Sequence, residues 1–203
     1  METPSTVQIS ALAITTFEEG DPDENPWIAG KPKWEEISLE PYSAEWTRIF
    51  ESQRDMITQM LGETALTIEH VGSTAVSDLL AKPVIDIDLI VKEPSEENTY
   101  VPALARAGYD LTVREPSWYQ HRMLRLEQPR VNLHVFGPGC PEHIRHILFR
   151  DWLREHPVDR KLYTDAKVEA SVGVNTARDY NQHKQTMVRE IYQRIFTAHG
   201  WAH

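Results

Sequence analysis

The chain has a single cysteine, Cys140, so an internal disulfide is excluded and a reducing compartment is expected. Its setting, Gly137-Pro138-Gly139-Cys140-Pro141, reads as a loop thiol rather than a nucleophile. No apolar run is long enough, or free enough of charge, to span a bilayer. No basic segment followed by an apolar core opens the chain, so no secretory signal is expected and the protein is read as soluble and cytoplasmic. Basic residues are in the minority: 21 Lys and Arg stand against 31 Asp and Glu, for a net charge of −10. That argues against an extended nucleic-acid surface, where affinity comes from neutralised phosphates, and leaves room for a small basic pocket. Missing too are a Gly-x-Ser-x-Gly elbow, a His-Glu-x-x-His helix, a paired Cys-x-x-Cys and a phosphate loop ending in Gly-Lys-Ser/Thr. Serine-hydrolase, zinc-protease and P-loop chemistries therefore have no support.

What is present suits one domain, or one domain with a tail: 203 residues, 40% hydrophobic and 26% charged. The charge is uneven. Residues 1–35 carry seven acidic side chains against two lysines, together with Pro4, Pro22, Pro26 and Pro32, and show no sustained period. They read as a flexible acidic extension, through which a basic protein partner could be contacted. Two apolar patches, Val7 to Ile14 and Trp27-Ile28, are the places where it could instead dock on the domain formed by residues 36–200.

Along that domain, Glu36 to Leu39 reads as a short edge strand. Ser43 caps a helix that carries Trp46, Ile49, Phe50, Gln53, Ile57 and Leu61 at helical spacing and stops at Gly62. Leu66–Val71 and Val84–Val91 are strands, and Glu96–Ala107 is a helix. Tyr109–Val113, His121–Leu126 and Val131–Phe136 are further strands. From Pro141 the chain is helical, over 141–157, 158–171 and 177–199. Arg145 and His146 read as a charged helical face with no special role. The order implies an α/β (α+β) fold, a mixed sheet with flanking helices and a helical C-terminal part.

The chemistry concentrates in two strands and the turn between them. Val84 to Val91 is aliphatic at six positions of eight, as in a strand buried on both faces. Side chains alternate along a strand, so Asp86 and Asp88 share a face, about 6.5 Å apart along the chain. Two carboxylates there are costly unless paired. A divalent cation, Mg²⁺ or else Mn²⁺, would pair them and keep positions open for phosphate oxygens. A buried network with basic side chains is the alternative. The Gly72-Ser73-Thr74 turn before it allows close backbone approach and offers hydroxyls and N–H groups to an anion.

Gly72-Ser73, a spacer and then Asp86-x-Asp88 on an aliphatic strand resemble the signature of the polymerase-beta-type nucleotidyltransferases. The longer string from His70-Val71-Gly72-Ser73-Thr74-Ala75-Val76 to Ala81-Lys82-Pro83-Val84-Ile85-Asp86-Ile87-Asp88 resembles one branch, the GrpB family (UPF0157). Asn132-Leu133-His134-Val135, Phe149-Arg150-Asp151 and Tyr180-Asn181-Gln182-His183-Lys184 extend the likeness over residues 37 to 198. The resemblance implies Mg²⁺-dependent handling of a nucleotide or other phosphorylated small molecule, with in-line attack on an α-phosphorus. Asp86 and Asp88 would be catalytic and metal-binding, and Gly72, Ser73, Thr74 and Lys82 would hold phosphates. The superfamily's third carboxylate is replaced here by Asn132 and His134. His134 becomes a candidate ligand better suited to Zn²⁺ or Mn²⁺ than to Mg²⁺. His70 reads as a turn-stabilising donor, with a ligand role as the alternative. Arg122, Arg150, Lys167, Tyr180 and Lys184 complete the cleft candidates, Tyr180 and Lys184 sharing a helical face. Because GrpB-like domains also occur fused to dephospho-CoA kinase, a non-catalytic helper or ligand-sensing module is the second function class.

Overall fold

A computed structural model describes residues 9–28, 30, 37–172 and 177–201. Five strands form one sheet in the order β1-β2-β5-β4-β3: β1 Thr67–Val71, β2 Ile85–Ile90, β3 Asp110–Glu115, β4 His121–Leu126 and β5 Val131–Phe136. β2 lies antiparallel to β1 and parallel to β5, so the sheet is mixed as the element order implied. Its register sets Asp86 beside Asn132 and Asp88 beside His134.

Strand alternation sorts the sheet into two faces. Ile85, Ile87 and Leu89 of β2, Leu124 of β4 and Val131, Leu133 and Val135 of β5 turn to one side. There they pack against Trp46, Ile57 and Leu61 of helix α2 (Ala44–Leu61) and Leu104 of α3 (Val101–Arg106). The Ser43 hydroxyl accepts from the Glu45 N–H and caps α2. α3 is shorter than its apolar pattern predicted. Pro102 stands in its first turn, and the preceding Glu97–Thr99 forms a separate 3-10 turn.

The other face carries Asp86, Asp88, Asn132 and His134 and looks toward α4 (Pro141–Glu155), α5 (Pro157–Ser171) and α6 (Ala177–Ala198). These helices build a second core from Leu153, Tyr163, Ile191, Tyr192, Ile195 and Phe196, joined by Val76 and Leu79 from the β1–β2 connection. Among the described residues no helix is long and apolar enough to cross a membrane.

The flexible, solvated reading of the N-terminal segment does not describe residues 9–28. Ile14 of a short helix, α1 (Ala11–Thr15), is buried in the second core. Arg145, 1% exposed, donates to the carbonyls of Ala13, Ile14 and Thr16 and lies over the Phe17 ring. Further on, Trp27 bridges to Val113 and the Ile28 N–H donates to the Thr112 carbonyl at the edge of β3. Among the described residues, Ile14 of the first apolar patch and Trp27-Ile28 of the second are the anchors. Arg145 is therefore a buried tether, not part of an idle charged face. The anticipated edge strand over 36–39 lies partly outside the described residues. Glu40 makes an isolated bridge to Ala81.

Candidate active site

β1 ends at Val71, and the chain turns through Gly72 at φ +71°, a conformation that suits glycine. A Cβ at Gly72 would lie 2.5 Å from Asp86 Oδ2, so the Asp86 carboxylate rests directly against the turn backbone. Gly72 itself is exposed. Ser73 and Thr74 then diverge. The Thr74 hydroxyl is buried, donates to the Val84 carbonyl and accepts a hydrogen bond from His70 Nε2–H at 3.0 Å. Burial lowers the His70 imidazole to about 4, and its ring stacks on Phe50. His70 and Thr74 thus hold the turn together, and only Gly72 and Ser73 face the cleft.

Ser73 faces a group of lysines. Lys167 of α5, 1% exposed, donates to Ser73 Oγ at 3.1 Å and to the Leu80 carbonyl. Its Nζ lies 4.9 Å from the Tyr163 ring centre. Lys184 lies 5.1 Å from the Tyr180 ring, on the shared face that their spacing predicted, and Lys82 lies 4.9 Å from the same ring. Burial, then the charges of Lys184 and Lys82, push the Lys167 ammonium down to about 7. Three cationic side chains from the β1–β2 connection, α5 and α6 therefore converge on two tyrosine faces beside an exposed glycine turn. An anion there would relieve their mutual repulsion.

Asp86 and Asp88 share a face, but their surroundings differ. Asp86 is 32% exposed; it accepts from Asn132 Nδ2 at 3.0 Å and lies 3.9 Å from His134 Nε2. Burial would raise its carboxyl, but His134, Asn132 and the charge of Lys184 hold it below the ordinary range. Asp88 is 0% exposed. His143 Nδ1 reaches Oδ2 at 2.9 Å, and His146 Nδ1 lies 3.1 and 2.9 Å from Oδ1 and Oδ2. Burial opposes ionisation of both partners. The mutual attraction nevertheless keeps Asp88 ionised and holds His146 protonated to well above neutral pH, with Glu142 helping from the other side. Asp88 thus sits in a buried network, as the alternative reading had it, although its partners are histidines of α4 rather than lysines or arginines.

Behind Asp86 runs a hydrogen-bonded file. Glu115 Oε2 lies 2.7 Å from His121 Nδ1, and His121 Nε2 lies 3.1 Å from His134 Nδ1. Burial pushes the His121 ring down to about 4. Two of the cleft candidates lie elsewhere. Arg122 points to the opposite face of β4, where it donates to Glu97 Oε1 at 2.6 Å and to the Gln120 carbonyl. Arg150 clamps α4 to β1 through Glu69 Oε2 and the His70 carbonyl, and pairs with its neighbour Asp151. His143 and His146 were missed. Their signal was two imidazoles one helical turn apart; His146 was read only as part of a charged helical face and His143 drew no reading, because nothing local linked them to Asp88. Glu115 and His121 left no motif at all.

The model of the family described as GrpB protein matches residues 36–194. The chain belongs to the GrpB family. It is 41% identical over 167 residues to a UPF0157 protein of Halalkalibacterium halodurans, covering 81% of this chain and 85% of that one. The crystal structure of GrpB from Enterococcus faecalis superposes with a TM-score of 0.61 at 26% identity, over 76% of this chain and 99% of that one. A dephospho-CoA kinase of Mycolicibacterium paratuberculosis is 28% identical over 193 residues, covering 82% of this chain and 47% of that protein. The docked residues 9–28 precede the stretch that the GrpB model matches.

Of the two carboxylates, only Asp86 has a side chain partly open to solvent. Among the described residues no three His, Cys, Asp or Glu side chains are arranged to hold an ion by themselves. Asp86 is open to solvent beside the turn, and Mg²⁺ is commonly held by one carboxylate, water and substrate phosphates. Asp88 has both oxygens engaged by imidazoles.

Proposed function

We propose that this GrpB-family chain binds the phosphate chain of a nucleotide between the Gly72-Ser73 turn and helices α5 and α6, with a divalent cation at Asp86. The observation that carries this is the convergence of Lys82, Lys167 and Lys184 beside that turn. The exposed Gly72 backbone and Ser73 would take the terminal phosphates, and the three lysines would neutralise them. Tyr163 and Tyr180 limit where the ammonium groups can go, so little side-chain freedom is lost on binding. When bound, the cation supplies charge compensation to phosphate oxygens at the reacting end. Asp86 would orient that end toward an acceptor oxygen attacking the α-phosphorus, with pyrophosphate leaving toward the lysines.

A ligand-sensing module without turnover is the second reading. It is favoured by Asp88, whose charge is already met by His146, so that of the two strand aspartates Asp86 is the one left to meet a ligand. Kinship with a protein named dephospho-CoA kinase points the same way.

Thermal unfolding against the four NTPs, CoA and dephospho-CoA, with and without Mg²⁺ or Mn²⁺, tests the binding step. A ligand at one hundred times its dissociation constant stabilises by about 2.7 kcal/mol, or roughly 5–10 °C for a chain this size. The expected result is a metal-dependent shift lost in Asp86→Ala and reduced in Lys184→Ala. No shift with any ligand in the folded wild type rejects the proposal. Pyrophosphate release from the stabilising NTP separates transfer from sensing.

A further inference from the structure

Between their two anchors, residues 18–24 converge on one turn. It joins β3 to β4 and runs through Ser117, Trp118, Tyr119 and Gln120. The Asp21 N–H donates to Ser117 Oγ at 2.8 Å, and Glu24 Oε2 accepts from the Ser117 N–H at 3.1 Å. Trp118 Nε1 donates to the Glu18 carbonyl at 3.1 Å. Gly20 passes so close that a Cβ there would stand 3.1 Å from both Ser117 Oγ and Trp118 Cβ. Arg145, which donates to the Ala13, Ile14 and Thr16 carbonyls, also donates to the Tyr119 hydroxyl at 3.1 Å.

This turn needs holding. Tyr119 and Gln120 have φ of +53° and +55°. That left-handed conformation is costly for residues with a Cβ and persists where the surroundings over-determine it. The turn also bears on the cleft. Trp118 stands edge-on to His121, ring centres 5.2 Å apart, and its carbonyl accepts from the His121 N–H at 2.9 Å. His121 stacks on His134 at 5.3 Å, and His134 lies beside Asp86. Contact is thus continuous from Gly20 through three rings to Asp86, and close-packed rings transmit a displacement rather than absorb it.

We infer that residues 9–28 are a positioning strap, which holds the Ser117–Gln120 turn in its left-handed form and, through Trp118 and His121, fixes the His134 ring at the Asp86 site. Its two states are the strained turn with the strap docked and the relaxed turn with the strap released. Linkage makes the coupling reciprocal, so a ligand that orders the site also tightens the strap. Only this last consequence rests on the reading of a nucleotide at Asp86; the positioning itself rests on the contacts.

Hydrogen exchange of the full chain, read by mass spectrometry, and NMR of ¹⁵N-labelled histidine rings test this without ligand. Gly20→Val sets a branched side chain against Ser117 and Trp118 and should lift the strap. Exchange at residues 117–121 is expected to rise by about tenfold or more, with Ile57–Leu61 unchanged. The His134 ring signal, assigned by its loss in His134→Gln, should shift. Trp118→Phe keeps an aromatic ring and removes the N–H to Glu18; it should give a smaller change of the same kind, and it carries the test if Gly20→Val does not fold. Exchange unchanged at 117–121, whether or not the strap opens, overturns the inference and makes the segment a cover. A loosened turn with an unmoved His134 ring overturns it as well. In Gly20→Val the metal-dependent nucleotide shift should shrink. A nucleotide shift absent from the wild type rejects the proposed function and leaves the strap to be judged on exchange and ring signals.

Discussion

Asp86 and Asp88 sit two residues apart on one strand, on one face, and are read identically from the sequence. Asp86 lies a third open to solvent against the Gly72 turn, with an amide, an imidazole and a lysine nearby. Asp88 is sealed under α4, and its charge is met by His146. The difference shows that a paired-carboxylate motif does not by itself define a two-carboxylate metal site. What decides is whether the next layer brings its own cation. Where it does, the carboxylate becomes part of the packing between sheet and helix; where it does not, the carboxylate remains free to meet a ligand.

The largest expected effect comes from removing the cation over Asp88. In His143→Ala/His146→Ala a buried carboxylate loses both partners, which should cost about 3–5 kcal/mol. Thermal unfolding should then fall by roughly 6–20 °C. A loss below about 1 kcal/mol would mean that Asp88 is hydrated and free for a metal after all.

Acidity should separate the regions next. His70 and His121 fold as neutral rings with values near 4, whereas the unfolded chain protonates both near pH 6.5. Stability should therefore fall as pH drops from about 6.5 to 4, by up to about 3 kcal/mol per ring. His146 is shifted the other way. Its contribution is complete below pH 6.5 and declines as pH climbs toward about 10. Asp88 contributes above its unfolded value near 4 and loses that contribution as the solution becomes more acidic. Unfolding followed across pH should show both limbs. His70→Gln should flatten the acid one and His146→Gln the alkaline one.

The smallest effect on stability is expected at Asp86. Asp86→Asn keeps the shape of a side chain a third open to solvent and should change stability by less than about 1 kcal/mol, while removing the metal-dependent ligand shift. A variant that unfolds as readily as the double histidine variant would place Asp86 in the packing beside Asp88 and erase the contrast between them.

Much of this was legible because it is local. Alternation put Asp86 and Asp88 on one face, helical spacing joined Tyr180 to Lys184, and a glycine marked the turn. The five strands and the C-terminal helices followed from periods of two and 3.6. The Glu96–Ala107 helix was overextended, since apolar spacing does not register where Pro102 restarts the helix. Arg122 was placed in the cleft although its own parity on β4, shared with Leu124 and opposite to His134, sends it to the other side.

The sequence alone determined the strand, the turn and the stock of cations; the tertiary structure alone decided which cation met which carboxylate. His143 and His146 reach Asp88 across 55 and 58 residues, Lys167 reaches Ser73 across 94, and Arg145 reaches the carbonyls of α1 across about 130. No spacing rule spans such distances. Local periodicity sets which way a side chain points, whereas long-range partners follow from which layers pack, because apolar burial drives the docking and the polar groups pair with whatever that packing brings alongside.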